Sequence, residues 1–153
     1  MTNEALKQFI TTISPSVQFA ENQQYLTVTV SPDNLYQLAK TLKENEETYF
    51  DFLFCLTGVD YPDKSLGVVY HLTSTKFNHT LVLKSFTFDR EHAELPTVSD
   101  IWRTAEFHER EVYDLLGINF SKHPDMRRIF LEDNWIGYPL RKDYVDEINI
   151  VER

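Results

Sequence analysis

Three β-forming runs follow one another with only short turns between them: YFDFLFCLTGVD at 49–60, LGVVYHLTSTK at 66–76 and HTLVLKSFTF at 79–88. Their connectors, YPDKS and FN, supply the Pro, Asp and Asn that suit hairpin turns. The first run is almost wholly apolar and reads as a central strand. Two shorter runs, SVQFA at 16–20 and QYLTVTV at 24–30, flank the polar turn ENQQ. The second sets Leu26, Val28 and Val30 against Tyr25, Thr27 and Thr29, the alternation of a half-buried strand.

Helices bracket these strands. Asn3 can cap a first helix with Leu6, Phe9, Ile10 and Ile13 at helical spacing, stopped by Ser14 and Pro15. Ser31 as N-cap, Pro32 at the first helical position and Asp33 at the positive end of the dipole open a second, with Leu35, Leu38, Ala39 and Leu42 on one stripe. Thr97 or Ser99 opens a third that runs to Leu116, where Gly117 stops it. The order α-β-β-α-β-β-β-α predicts a two-layer α+β domain over 1–116, with a mostly antiparallel or mixed sheet. An extended C-terminal arm, 117–153, belongs to the same structural unit.

A chain of 153 residues, 42% apolar, can bury a core without disulfides or a structural metal. Its single Cys55 lies in the most apolar run and is expected to be a buried small hydrophobe. Nothing resembles an apolar leader or a run of about 18 apolar residues, so a cytoplasmic chain that does not cross a membrane is expected. A net charge of −9 argues against nucleic acid or anionic lipid as a partner. Residues 117–145 depart from that balance, with five Lys/Arg against four Asp/Glu, leaving ten against twenty elsewhere.

The third helix carries His108, Glu109, Glu111 and Asp114, which invites a metal reading. A zinc helix of the His-Glu-x-x-His kind needs two imidazoles one turn apart, and Val112 stands at the second position. The stripe Ile101, Ala105, His108, Val112, Leu115 instead places His108 inward as a hydrogen-bonded core residue, with Glu106–Arg110 and Arg110–Asp114 as ion pairs on a solvent face. His71, His79 and His92 have no ligand spacing, and no phosphate loop or nucleophile elbow is present. After Gly117 periodicity disappears, yet aromatic and apolar residues alternate with His123, Arg127, Arg128, Arg141 and Lys142. Pro124 and Pro139 impose extended geometry before them and Gly137 permits a bend. Such an arm is ordered against something, either a partner chain or its own sheet.

The blocks EREVYDLLGINF (109–120), HPDMRRI (123–129) and GYPLRKDY (137–144) stand in an order and spacing that resemble the C-type, or thirty-kilodalton, subunit family of NADH-quinone oxidoreductase, respiratory complex I. That resemblance implies a non-catalytic assembly component of the complex's peripheral arm, on the cytoplasmic side of a bacterial inner membrane and attached only through the complex. It implies no cofactor in this chain, with FMN, iron-sulfur clusters and quinone held elsewhere. The D-type subunit, which contributes to the quinone pocket, and neighbouring iron-sulfur subunits are the implied partners. The implied partner interface comprises Glu109, Arg110, Glu111, Asp114, His123, Pro124, Arg127 and Arg128, then Trp135, Gly137, Tyr138, Pro139, Leu140, Arg141, Lys142, Asp143 and Tyr144. Two positions depart from the family pattern: Phe107 where Trp is usual, and Val145 where Pro is usual. The end at Arg153 leads one to expect neither a fused C/D form nor a long extension. Two other readings remain: the same scaffold role in a membrane-bound nickel-iron hydrogenase or a ferredoxin- or deazaflavin-linked dehydrogenase, and a stand-alone metal hydrolase using His108, Glu109, Glu111 and Asp114.

Overall fold

The structure, a computed structural model, describes residues 1–21 and 23–146. Helix α1 (Asn3–Ile13) buries Leu6 and Ile10. Its cap is Thr2, one residue before the expected Asn3: Thr2 is extended and its hydroxyl accepts the Ala5 N–H at 3.3 Å. Strands β1 (Gln18–Ala20) and β2 (Leu26–Thr29) form the expected antiparallel hairpin. Helix α2 (Pro32–Glu44) starts with Pro at its head and buries Leu35, Leu38, Ala39 and Leu42, the stripe read from the sequence.

Strands β3 (Phe52–Asp60), β4 (Leu66–Ser74) and β5 (His79–Thr87) join as two antiparallel hairpins. The sheet order is β1-β2-β5-β4-β3, with β2 and β5 parallel, so the fold is two-layer α+β around a mixed five-stranded sheet. Helix α2 lies in the connection between β2 and β3, and β5 returns beside β2. The central strand is therefore β5, and the most apolar run, β3, is an edge. Despite its composition it is covered on one face only. Leu53 and Leu56 point into the core while Phe52 and Phe54 are exposed on the other side, where Cys55 is half-buried rather than in the core.

An exposed edge of this length would invite pairing with another strand. Side chains from one later stretch occupy its outward backbone groups instead. Trp102 Nε1 donates to the Phe50 carbonyl (2.9 Å), Thr104 Oγ1 to the Leu53 carbonyl (3.2 Å), and His108 Nδ1 accepts the Leu56 N–H (3.2 Å). His108 thus faces inward and is hydrogen-bonded, but it is only half-buried and serves the sheet edge.

Helix α3 spans Ala105–Leu116, shorter at its start than the sequence suggests. Residues 94–97 are drawn into extended pairing before the helix: β6 (Glu94–Pro96) runs parallel to β7 (Asn119–Ser121), and the Thr97 N–H reaches the Ser121 carbonyl at 3.1 Å. The arm thus begins as a strand rather than as irregular chain. Gly117 ends α3 with φ +69° and donates to the Tyr113 carbonyl, as its sequence position predicts. The core gathers Leu6, Ile10, Leu38, Val112 and Leu116 with the strand residues of one sheet face. The opposite face carries no helix among the described residues.

Helix α3 packs closest where β3 has no side chain. A Cβ at Gly58 would lie 2.4 Å from Leu116 Cδ1 and 2.8 Å from Val112 Cγ1, both on buried residues. Gly58→Ala is expected to destabilise the fold by about 1–3 kcal/mol, read as a lower urea midpoint at unchanged slope.

Candidate interaction site on the C-terminal arm

The charged residues of α3 do not form a solvent face. Glu109, Arg110 and Asp114 are all buried, the first bonded to residues 97–98 and the other two to the arm. The expected pairs of Arg110 with Glu106 and Asp114 are replaced by contacts to the arm. Arg110 donates to the carbonyls of Arg127 (3.2 Å) and Arg128 (3.0 Å) and lies 3.9 Å from the Asp125 carboxylate.

Asp114 is the centre of the arrangement. Its Oδ2 accepts the backbone N–H groups of Ile129 (3.2 Å), Phe130 (2.7 Å) and Leu131 (3.0 Å), while Oδ1 accepts Arg128 Nη1 (3.0 Å). Burial would raise this carboxyl's pKa, but the Phe130 and Leu131 amides, Arg128 and the Ile129 amide outweigh it and hold the group below the usual range. Arg128 also donates to the carbonyls of Asp114 (2.8 Å), Trp135 (3.1 Å) and Gly137 (3.1 Å), joining the helix to the bend.

Arg141 closes the next section. It donates to the carbonyls of Leu116 (2.7 Å), Gly117 (3.4 Å) and Arg90 (2.9 Å), placing a cation at the negative end of α3. Its guanidinium and that of Arg128 both lie over the Tyr138 ring, at 4.8 and 5.2 Å from the centroid. The ring lies close enough to Gly117 that a Cβ there would come within 2.5 Å of it. Beyond, Asp60 at the end of β3 accepts Arg90 (2.7 and 3.0 Å) and the Lys142 N–H (2.8 Å), and Arg90 also reaches Asp143 (3.0 Å). The Arg90 hydrogen bonds lead in lowering the Asp60 pKa to about 2, against the effect of burial.

A second buried carboxylate holds the start of α3. Glu109 accepts the Thr97 hydroxyl and the Val98 N–H (2.8 Å), and His123 Nε2 lies 3.7 Å away. His123 Nε2 faces the Glu106 carbonyl at 2.9 Å and its Nδ1 accepts the Asp125 N–H at 3.0 Å, the pattern of a neutral imidazole protonated at Nε2. Burial raises the Glu109 pKa to about 7 despite its two donors.

Glu109, Arg110, Asp114, His123, Arg128, Tyr138 and Arg141 thus act inside the chain, and Trp135, Gly137, Pro139 and Tyr144 are half-buried beside them. Glu111, Pro124, Arg127, Leu140, Lys142 and Asp143 face outward. The sequence reading missed Asp60 and Arg90, which are 30 residues apart in no motif, and Thr97, which looks like a helix start. It also missed the apolar ridge on the outside of the arm: Phe130 is 66% exposed, Ile136 90% and Leu140 59%. Among the described residues no group of three or more His, Cys, Asp or Glu is placed to hold a metal. His108, Glu109 and Asp114 bond to β3, to residues 97–98 and to the arm respectively, so they do not converge.

These features define a class, a two-layer α+β module with a C-terminal arm clamped onto its last helix. The model of the respiratory-chain NADH dehydrogenase 30 Kd subunit family matches residues 28–148, and the chain belongs to that family. It is 56% identical over 108 residues to the C/D subunit of the NADH-quinone oxidoreductase of Phocaeicola vulgatus, covering 71% of this chain and 21% of that one. It is 39% identical over 131 residues to the C subunit of the NADH-quinone oxidoreductase of Moorella thermoacetica, covering 85% of this chain and 86% of that one. The chain therefore spans only about a fifth of the first relative's length. Among solved structures, a chain of the membrane-bound sulfane sulfur reductase, an archaeal respiratory membrane complex, superposes with a TM-score of 0.77 at 27% identity, covering 95% of this chain and 86% of that one.

Two outcomes are expected. Arg128→Met should destabilise the chain by on the order of 3 kcal/mol and speed amide exchange at Ile129, Phe130 and Leu131, measured by hydrogen exchange. For Glu109, the unfolded carboxyl ionises near 4.5 while the folded one keeps its proton to about 7, so stability falls as pH rises between these values. The fall is about 3 kcal/mol. Glu109→Gln removes this decline, seen as a flatter plot of unfolding midpoint against pH.

Proposed function

We propose that the chain is a structural and assembly component of the peripheral arm of a proton-translocating NADH-quinone oxidoreductase, supporting electron transfer to quinone without performing chemistry itself. It holds no cofactor in this reading; FMN, iron-sulfur clusters and quinone sit in other subunits. The D-type subunit is the first partner, with neighbouring iron-sulfur subunits beside it. The complex ties the chain to the cytoplasmic face of a bacterial inner membrane.

The observation that carries this reading is the inverted polarity of the arm. Arg128 and Arg141 are spent on backbone carbonyls and Asp114, while Phe130, Ile136 and Leu140 stand in solvent. An ordered, preformed apolar ridge loses little conformational entropy when another surface covers it. The joined C/D name of the Phocaeicola vulgatus relative supports the D-type subunit as the neighbour. No helix of the described residues is long and apolar enough to cross a membrane, which fits attachment through other chains. Of the implied interface residues, the outward-facing Glu111, Pro124, Arg127, Leu140, Lys142 and Asp143 are assigned direct contact, and the inward ones shape the arm.

The similarity to a chain of an archaeal sulfane sulfur reductase complex favours one second reading, the same scaffold role in a related membrane-bound respiratory complex. Genes for NADH-binding subunits beside this one would favour the first.

Ile136→Asp with Leu140→Asp touches no internal hydrogen bond through a side chain. The double variant is expected to keep its melting temperature within about 2 °C and to lose co-purification with the D-type subunit by tenfold or more. Undiminished co-purification would remove the ridge from the interface.

A further inference from the structure

The face of the main sheet that carries no helix among the described residues has a pattern that the arm does not explain, and Thr27, Val69 and Val82 on it are buried. Strand pairing aligns Gln18, Thr29, Lys84, Val69 and Thr57 in one row across all five strands, and Val82 and Phe86 flank Lys84 along β5. The chain is 25% charged, yet Lys84 is the one Asp, Glu, Lys or Arg that the described strands turn to this side. Depletion of charge at the centre with aromatic residues at the margin is the composition of an interface core, not of an ordinary solvent face. Phe52 and Phe54 stand exposed at the β3 margin and Phe88 beyond the end of β5.

Two polar groups at the middle of this face lack partners. Lys84 is half-buried, and among the described residues no carboxylate lies within ion-pair distance of it. His71, in the adjacent row, has its Nδ1 buried with no hydrogen-bond partner. Burial and the Lys84 charge both lower the His71 pKa. An unpaired ammonium at the centre of the face calls for a carboxylate from outside.

A second copy of the chain does not supply them. Lys84 lies on the middle strand, so a two-fold face-to-face dimer centred there would bring Lys84 towards Lys84, and the described strands turn no carboxylate to this face to separate them. We propose that the bare face of the sheet is a second docking surface, which seats a different protein chain presenting small apolar side chains around an aspartate or glutamate that pairs with Lys84. It uses none of the arm's ridge and so is separable from the assembly role proposed above.

The test is site-specific photo-crosslinking in cells that carry the whole respiratory assembly, with the photoreactive residue placed at Thr29, Thr57, Ile136 or, as an exposed control, Glu46. Thr29 and Thr57 are expected to crosslink to one chain at one segment that contains an Asp or Glu. Lys84→Glu should lower that yield by about tenfold or more, and a Lys in place of the mapped acid should restore it. If Lys84→Glu lowers the melting temperature of the free chain, Lys84→Gln is read instead. Yields at Thr29 and Thr57 no higher than at Glu46, crosslinks only between copies of this chain, or indifference to both Lys84 variants would each overturn the proposal. Crosslinking from Ile136 alone would do so while leaving the arm's role standing.

Discussion

One carboxylate sets the shape of the C-terminal third. Asp114 sits on the side of α3 away from water and collects three consecutive backbone amides and a guanidinium. A buried carboxylate short of donors is costly, so a one-residue slip of the arm past α3 would be penalised strongly. The register of residues 128–131 is thereby fixed without a strand or helix. Arg128 then uses its remaining donors on the Trp135 and Gly137 carbonyls, and Tyr138 lies beneath it and Arg141.

This arrangement answers how a segment with little regular structure can satisfy its backbone. Side chains do what a ladder of paired strands does elsewhere: Asp114 takes the amides, while Arg110, Arg128 and Arg141 take the carbonyls. Arginine suits the task because its planar fork reaches several carbonyls at once. The same economy appears at the β3 edge, where Trp102, Thr104 and His108 cover backbone groups that a neighbouring strand would otherwise bond. With these groups turned inward, Phe130, Ile136 and Leu140 are left on the outside. That reversal makes it a surface for association in the proposed assembly role.

Much of the sheet and the first two helices could be read from local pattern. The stripe Leu35, Leu38, Ala39, Leu42 describes one element's own periodicity and recurs in the structure; residues 26–29 form the expected strand, but Thr27 is buried along with Leu26 and Val28, so the expected half-buried alternation does not. The errors fall where a distant segment intervenes. Residues 97–104 look like a helix start, but β7 pulls 94–97 into parallel pairing and Glu109 takes the Thr97 hydroxyl and Val98 amide. Glu106, Arg110 and Asp114 have the spacing of solvent ion pairs, but the arm covers that side and redirects Arg110 and Asp114 to backbone groups 15 to 18 residues on.

The sequence by itself determined the α+β order, the hairpins, the stop at Gly117 and the family, because each rests on neighbouring residues or on motifs intact in the chain. Only the tertiary structure decided that β5 and not β3 is central, that Glu109, Arg110 and Asp114 of α3 are internal, and that Phe130, Ile136 and Leu140 face outward. Strand order and burial depend on which segments meet across long loops, and no local periodicity records that meeting. The same holds for Lys84, an ordinary lysine in a β-run until the pairing of five strands places it alone at the centre of a bare face.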